Sequence, residues 1–441
     1  MIKEQYILKN KEINLSISGG EISSVIKKDI TQSACRVYDQ GFIGVAGKLG
    51  EADSELMEQA AENLKLQIPY EAQATEGKVR REDWAAQAMD GESPAAENPG
   101  AQTPAAQNSS TESPTVENPQ SFLRKVQEVL EILKKEYPQL IFGNKVRLSQ
   151  LSRHLCNDAG TDLFSSDRLI SWELLIKHTQ SVNVFDDFLA CAVRSLNRQA
   201  FLKEAREHLD AFLNPVSLPD PGLLQDASPK GHLLPVILSP MALGGFLTEN
   251  LDALSFGHGT SFFNGKLGQK LFNEKFSFCV DRSSKALCTA FFDAEGSTCE
   301  NDRNYLIKDG VLLKPFADKK LAKEFGYENT ATAGGAYDSV PSNTDTCFSV
   351  ESSGQTLREL IGERDGIYIS VMSGGDFTSE GNFASPVQTA FLYRGGKLVG
   401  RLPEFHISGN IYDIFGANFV GASSDRAYDG EFKLVVNMKV G

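Results

Sequence analysis

Glycine pairs near the C-terminus constrain the fold of this chain more than any other feature of its sequence. Within the stretch 366–421, apolar runs lie on both sides of Gly395-Gly396. A glycine pair between two apolar runs predicts a tight β-hairpin, because glycine accepts the positive φ angles that such turns require. Upstream, the alternating residues of a half-buried strand end at a second glycine-rich turn: Ile367, Ile369 and Val371, then Ser373, Gly374 and Gly375.

The segment between these two strands, Asp376 to Pro386, is rich in glycine, serine, threonine and asparagine. Held between rigid strands, such a loop can receive an extended ligand. The same composition also suits a plain connection, so the sequence alone leaves both interpretations open.

The order of these elements resembles the C-terminal signature of the TldD/PmbA family, which is described as a family of zinc metallopeptidases and has long been labelled a modulator of DNA gyrase. That signature is a glycine-rich loop, then a hairpin, then a Gly-Asn turn. The matching positions here are Gly374, Gly375, Gly381, Phe383, the Ala390–Lys397 hairpin, Gly409 and Asn410.

Composition limits the classes of protein that this chain can represent. Its 441 residues are enough for two domains, and 41% hydrophobic with 23% charged residues is typical of a soluble globular protein. No apolar run reaches the roughly 18 residues of a membrane span, and the first residues show no secretory signal, so we expect a cytoplasmic protein. The seven cysteines form no CxxC pair, and a net charge of −14 argues against nucleic-acid binding.

The first half of the chain combines hairpins with amphipathic helices. Two antiparallel hairpins are predicted, with turns at Gly19-Gly20 and at 39–41. Helices are predicted over 54–66, from Pro119 to about residue 137, and over 199–213. The helix at Pro119 has one apolar face, made of Phe122, Val126, Val129, Leu130 and Leu133. The N-terminal pattern of the same family is similar at Gly20, Glu21, Ile22, Ser23, Arg36, Val37, Gly41 and Gly44.

Residues 69–120 are predicted to be a disordered, low-complexity insertion within the first domain. From residue 91 onward they consist almost entirely of small and polar residues, and the segment 93–99 is echoed at 113–119. Such a sequence cannot bury enough apolar surface to offset the entropy lost on ordering. The insertion carries 9 acidic and 3 basic residues, and we expect this charge to act only by keeping it solvated.

The second half is predicted to be rich in strands. The predicted elements are a strand over 233–238, a helix from Pro240 through Leu254, strands at 275–280 and 286–292, a hairpin around Asp309-Gly310, and a last strand over 432–440. The family shows the same succession, with matches at 267–270, Asp293, Glu295, Gly296, 310–312, Ala322 and Gly326. We therefore expect an α+β fold with two domains: an N-terminal α/β domain with antiparallel hairpins over 1–228, and a metallopeptidase-like, mostly antiparallel β domain over 229–441.

The metal-binding motif of the catalytic branch of this family is altered here. In that branch, zinc is held by HExxxH on the helix after the 233–238 strand, with a cysteine near the C-terminus as a further ligand. Glu249 occupies the position of the glutamate, but Thr248 and Ala253 occupy those of the histidines, and the last cysteine is Cys347. Because threonine and alanine cannot replace imidazole on Zn²⁺, we predict no catalytic residue and no metal ligand in this chain.

The resemblance then implies the TldE/PmbA-like branch, whose members work with a TldD-type catalytic subunit that holds the zinc. Such a heterodimer would enclose a cavity in which an unfolded peptide binds as an added strand and is cleaved. This chain would supply one wall of the cavity, and a homodimer of the isolated chain is the alternative assembly. The predicted peptide-binding residues are Ser373, Gly374, Gly375, Gly381 and Phe383.

Two other functions stay open at this point. The chain alone could hydrolyse peptides with a metal held by unusual ligands such as His258, Asp293 or Glu295. It could also capture unfolded peptides, or another protein, without any proteolysis. Three further candidate groups show no spacing that identifies a nucleophile with its base: Ser239, Cys279 and His406.

Overall fold

One large sheet organises the first half of the chain. The computed structural model describes residues 1–71, 73–87, 119–219, 233–287, 289–344 and 347–441. The sheet has the order β4-β3-β2-β1-β6-β7-β5, with β8 beside β7, and only β5 and β7 are parallel neighbours. Its strands are β1 (Ile2–Ser18), β2 (Glu21–Asp39), β3 (Phe42–Leu49), β4 (Ile68–Pro69), β5 (Val79–Asp83), β6 (Leu140–Asn157), β7 (Asp162–His178) and β8 (Asp187–Val193).

The first hairpin forms as predicted and is longer than the alternating segment alone suggested. Gly19 and Gly20 lie at φ angles of 61° and 75°, the left-handed region that favours glycine. From this turn β1 and β2 pair along their whole lengths, ending with Ile2 opposite Tyr38. The second predicted hairpin, between β2 and β3, is also confirmed.

Two of the helices in this half cover one face of the sheet. The helices are α1 (Ser54–Asn63), α2 (Trp84–Gln87), α3 (Pro119–Glu136) and α4 (Arg198–Leu213). The predicted apolar face of α3 is buried, and it shares a core with Ile13, Leu15 and Ile17 of β1. This core confirms both the alternation in β1 and the apolar stripe of α3.

The predicted start of the disordered insertion, at residue 69, is wrong because the chain is still folded there. Tyr70, Ala74 and Trp84 lie within 69–120, yet they are buried at 2%, 6% and 4% exposure. The same segment contributes strand β5, which pairs with β7. The composition becomes biased only further along the chain, so these earlier residues bring enough apolar surface to fold. The remainder of the predicted insertion, residues 88–118, lies outside the described residues.

A second large sheet organises the other half. It has the order β16-β9-β22-β20-β18-β17, with β19 beside β18 and β21 beside β22, and a smaller sheet has the order β12-β11-β10-β15. The strands are β9 (Leu233–Leu238), β10 (Phe278–Asp281), β11 (Arg303–Lys308), β12 (Val311–Leu312), β13 (Ala333–Gly334), β14 (Ser342–Asn343), β15 (Phe348–Val350), β16 (Gly366–Met372), β17 (Asp376–Phe377), β18 (Asn382–Arg394), β19 (Lys397–Arg401), β20 (Phe405–Asn410), β21 (Phe419–Arg426) and β22 (Phe432–Val440). The helices are α5 (Met241–Asn250), α6 (Ala253–Gly257), α7 (Lys319–Phe325), α8 (Leu357–Ile361) and α9 (Ile411–Ile414).

Most local predictions for this half are confirmed, and three are wrong, one of which is the helix from Pro240 through Leu254 that is described with the site below. The hairpins at Asp309-Gly310 and Gly395-Gly396 form as expected. The predicted strand over 286–292 is instead irregular: residues 290–292 pack into a core with Tyr6 and Leu155 of the first sheet, and Phe292 forms only an isolated bridge with Thr298. The predicted loop Asp376–Pro386 is largely a hairpin, since β17 pairs with the beginning of β18.

The two halves share a hydrophobic core. Tyr368, Phe391 and Val435 of the second large sheet pack with Leu209 and Phe212 of α4. The predicted domain boundary between residues 228 and 229 lies outside the described residues. No helix in the described ranges is both long enough and apolar enough to cross a membrane.

Candidate functional site

A groove of about 470 Å³ lies between helix α5 and the β17–β18 hairpin. Glu249 lines it from the last turn of α5, while Gly375, Asp376 and Phe383 line it from the hairpin side. The fold therefore brings the glutamate of the altered motif next to the glycine-rich segment that the sequence singled out. No histidine or cysteine is among the residues that line this groove.

Aromatic side chains form much of the groove wall. The ring of Phe246 lies 4.5 Å from that of Phe377 and 5.2 Å from that of Phe262, measured between centroids. The Phe377 and Phe383 rings are 4.8 Å apart. Aromatic pairs in such arrangements contribute about 0.5–1.5 kcal/mol each to stability beyond the burial of their apolar area, so this wall is a well-packed surface.

The helix that carries the altered motif is shorter than predicted. The sequence predicts one helix from Pro240 through Leu254, but α5 ends at Asn250 and a new helix begins at Ala253. The break arises because the chain here bonds to Phe316: Phe316 N donates to Leu251 O at 2.8 Å, and Ala253 N donates to Phe316 O at 3.0 Å. The Asp252 side chain then caps the second helix by accepting from Leu254 N.

The break separates the two positions where the motif has histidines. Thr248 stays on α5, and its hydroxyl donates to Gly245 O at 2.8 Å. Ala253 begins α6 and is fully buried against Ala317 and Ala322. The two side chains therefore lie on different helices.

The five predicted peptide-binding residues do not all line the same groove. Gly375 and Phe383 line the groove, whereas Ser373 lines a different groove. Gly374 is an exposed turn residue with open space around its α-carbon. Gly381 is buried under α9, where an added Cβ would lie 2.7 Å from Ile411. Gly381 therefore packs closely at the tip of the hairpin.

The residues of the groove do not fit a zinc ion. Its two carboxylates, Glu249 and Asp376, are accompanied only by hydroxyl, amide and apolar side chains. Zinc in proteins prefers nitrogen and sulfur ligands in a set of three or four. Across the described ranges, no group of three His, Cys, Asp or Glu side chains is placed to hold a metal ion.

The alternative ligands considered from the sequence also lie apart. His258 follows α6, is exposed, and has its ring edge against Phe325, with the centroids 5.6 Å apart. Asp293 and Glu295 are buried at 0% and 1% exposure, in a turn that faces the first sheet. Within the described residues, His258 therefore does not join Asp293 and Glu295 in a three-ligand metal site.

The three remaining candidate groups do not form a catalytic set. The Ser239 hydroxyl donates to Glu431 Oε2 at 2.7 Å. Cys279 is buried, and burial raises the pKa of its thiol to about 12, which disfavours the nucleophilic thiolate. His406 is exposed on β20. No hydrogen bond described for these side chains joins any two of them.

Comparison with known proteins identifies the second half of the chain. The family model of the PmbA/TldA metallopeptidase C-terminal domain matches residues 230–438. Residues 230–438 therefore form a C-terminal domain of the PmbA/TldA metallopeptidase family. The matched range contains every residue of the groove described above, so the groove lies wholly within this family's domain.

Relatives and solved structures support the same assignment. A metalloprotease of Methanothermobacter thermautotrophicus is 25% identical over 209 residues, which are 46% of this chain and 45% of the relative. A zinc metalloprotease TldD homologue of Saccharolobus solfataricus is 24% identical over 202 residues, 44% of this chain and 45% of the relative. The matches thus span less than half of each relative. Crystal structures of TldE from Thermococcus kodakarensis and of a proposed DNA gyrase modulator from Thermotoga maritima share the fold over 100% of this chain and 96% of theirs, with TM-scores of 0.73 and 0.71 at 20% and 16% identity.

The Asp293–Gly296 turn serves as a buried link between the two halves. Asp293 accepts hydrogen bonds from the backbone N–H groups of Glu295, Ser297 and Ala333 at 2.8–3.0 Å. Gly296 lies at a φ of 71°, and a Cβ added there would lie 3.2 Å from Thr75 Oγ1 of the first half. The family resemblance at these positions is therefore explained by packing, and the turn itself needs no metal.

Glu295 fastens the turn to the segment that follows β4. Its Oε1 accepts a hydrogen bond from the Tyr70 hydroxyl, and its Oε2 accepts one from Lys319 N at 3.0 Å. The Lys319 ammonium group donates to Thr75 Oγ1 at 2.7 Å and to Gln73 O at 3.0 Å. Burial raises the pKa of Glu295 to about 8, with the nearby charge of Asp293 as the next contribution. The sequence reasoning missed Tyr70 and Lys319, and the aromatic residues of 69–87 were the signal that this segment folds.

Proposed function

We propose that this chain is the TldE/PmbA-like, non-catalytic subunit of a TldD/TldE-type metallopeptidase that cleaves unfolded peptides. The observation that carries the proposal is the groove at Glu249, which lies where the family's motif is expected but is lined by no histidine or cysteine that could bind zinc. Zinc would then be supplied by a TldD-type partner, in keeping with relatives that are named metalloproteases.

The edge of the second large sheet supports a role in holding peptide. β17 is the outermost strand of that sheet, and its residues Asp376 and Phe377 both line the groove. An extended peptide can add to such an edge through backbone hydrogen bonds, with its side chains against the aromatic wall. Gly375 permits the tight turn beside this edge, because a Cβ there would lie 2.7 Å from the Cβ of Ser385.

A second exposed edge supports contact with a partner chain. Strand β2 from Ile22 to Ile30 has β1 as its one strand neighbour among the described residues. Val25, Ile26 and Ile30 on this stretch are 42%, 50% and 39% exposed. Unprotected edges with apolar side chains favour pairing with another chain. We propose that the TldD-type subunit contacts this edge.

Replacing Ile26 and Ile30 with glutamate tests this contact. The two side chains share one face of β2, and the new charges would oppose burial against a partner, so we expect the Kd for the TldD-type subunit to rise at least about tenfold. Isothermal titration calorimetry gives the affinity. Leu66→Glu, at a side chain that is 66% exposed outside this edge, is the control. Unchanged affinity of the double variant would show that the contact lies elsewhere. If the wild type associates with itself and the double variant does not, the homodimer would be favoured.

The variant Glu249→Gln tests whether this groove takes part in peptide cleavage. In the assembled pair we expect Glu249→Gln to leave peptide cleavage within about twofold of wild type, because a carboxylate without a metal ligand set cannot generate a zinc-bound hydroxide. Replacing the glutamate of the partner's HExxxH motif with glutamine should abolish cleavage. A loss of a hundredfold or more with Glu249→Gln would contradict the proposal that the partner alone carries out catalysis.

The groove also suits a protein that holds peptides without proteolysis, and that function would be indicated if no HExxxH-bearing chain co-purifies.

A further inference from the structure

A second groove, of about 910 Å³, lies beside Ser373 and includes none of the residues of the first. It is formed by the loop after β7, the end of α4 and the strands β16 and β18. Apolar side chains make up part of its wall: Phe185, Phe212, Leu213, Val371 and Leu402. On the loop that borders it, Val182 and Val184 are 98% and 87% exposed, which is unusual for such side chains.

Arg401 brings a positive charge into this groove. Its guanidinium lies over the ring of Phe212, 4.8 Å from the centroid. Its charge acts on the nearby Asp186 carboxylate, and Glu404 also lines the groove, but no ion pair or side-chain hydrogen bond joins Arg401 to a described residue. The nearby Asp186 is already occupied, because it accepts from His178 N at 2.8 Å, Ser181 Oγ at 2.6 Å and Asn183 Nδ2 at 3.0 Å. The donors of Arg401 are therefore left for another acceptor.

Gln388 brings an unpartnered amide into the same groove. Its Oε1 atom is buried and has no hydrogen-bond partner within the described structure. A buried carbonyl oxygen without a donor is unfavourable, and high-resolution structures contain few of them. The neighbouring Thr389 is fixed by a bond from its hydroxyl to Asp186 O at 2.8 Å, so the strand that carries Gln388 is held in place.

We propose that this groove binds a short apolar peptide segment that carries a carboxylate. The carboxylate pairs with the guanidinium of Arg401, which presents several N–H donors in a fork suited to two oxygens. A neighbouring peptide N–H donates to Gln388 Oε1. The apolar side chains of the segment lie against Phe185 and Val371. A chain terminus and an aspartate or glutamate side chain supply the same chemistry, and the probes below separate them.

Binding to the isolated full-length chain tests this proposal without any partner and without cleavage as a readout, so its outcome is separate from that of the proposed function. The probes are N-terminally fluorescein-labelled Ala-Leu-Val-Leu with a free carboxylate, the same peptide as its C-terminal amide, and amidated Ala-Leu-Glu-Leu, followed by fluorescence polarisation. We expect the free acid to bind at least tenfold more tightly than the neutral amide. If amidated Ala-Leu-Glu-Leu recovers that affinity, the carboxylate is recognised from a side chain; if it binds like the neutral amide, the chain terminus is recognised.

Variants locate the interaction. Arg401→Gln should reduce the affinity for the carboxylate-bearing probe at least tenfold, to the level of the neutral amide. Arg394→Gln is the matched control, because Arg394 lies on the same hairpin but is 59% exposed and paired with Asp365. Equal affinity of the neutral amide and both carboxylate-bearing probes, unchanged binding by Arg401→Gln, or no binding of any probe at 1 mM would each overturn the proposal. The comparison between probes uses the wild type, so it holds even if the variant is destabilised.

Discussion

Replacing Arg282 with methionine should lower the free energy of unfolding by about 3–5 kcal/mol, the usual cost of breaking a buried charged network by removing one member. Arg282 is fully buried, and its guanidinium donates to Ala331 O at 2.7 Å and to Ala290 O and Phe292 O at 3.2 and 3.1 Å. Methionine would leave these carbonyl groups without those donors. It would also remove the positive charge that favours the ionised form of Asp293.

Urea unfolding followed by tryptophan fluorescence measures this loss, because Trp84 packs in the same core as Phe291 and Phe292 and reports on this region. Arg394→Met is the control. Its guanidinium pairs with Asp365 at the surface, and exposed pairs contribute at most about 1 kcal/mol. Similar losses for the two variants would show that the Arg282 contacts do not hold the turn in place.

Glu295 should make the stability of the protein depend on pH between about 5 and 8. Burial raises the pKa of this carboxyl to about 8, while an unfolded glutamate titrates near 4.5. The folded state therefore binds more protons than the unfolded state within this window. By linkage, its contribution to stability is fully present below the unfolded pKa and is lost as pH rises toward the folded pKa. We expect a loss of about 2–4 kcal/mol across the window, since each pKa unit corresponds to about 1.4 kcal/mol.

The variant Glu295→Gln isolates this effect, because glutamine can still hydrogen-bond with Tyr70 but does not ionise. The difference in unfolding free energy between the variant and the wild type should grow in favour of the variant as pH rises from 5 to 8. Urea unfolding at a series of pH values measures it. Glu274→Gln, an equal charge change on an exposed side chain, corrects for the altered net charge. A difference that stays constant with pH would show that Glu295 is ionised in the folded protein throughout.

Local signals explain why much of the fold could be predicted. The hairpins at Gly19-Gly20 and Gly395-Gly396 depend on two adjacent residues and on the alternation beside them, and both form. The apolar stripe of α3 is likewise a property of one segment. The break in the helix after Asn250 could not be predicted from its own segment, because it depends on backbone hydrogen bonds to Phe316, which is distant in sequence.

The candidate site likewise combines features that a single segment predicts with contacts that it does not predict. The sequence identified Glu249 and the glycine-rich segment separately, and only the fold shows that both line one groove. Ser373 and Gly375 lie two residues apart yet line different grooves, because the chain turns between them. The bond between Glu295 and Tyr70 joins residues separated by 225 positions, and no pattern within either segment indicates it.

Cleavage of an unfolded peptide by this chain, with and without an HExxxH-bearing TldD-type partner, tests the proposed role most directly. Zinc content should be measured on the same samples. The proposal predicts no stoichiometric zinc and no cleavage for the purified chain, and cleavage with zinc in the partner once the two are combined. Cleavage by the chain alone, with one zinc ion per molecule, would contradict it.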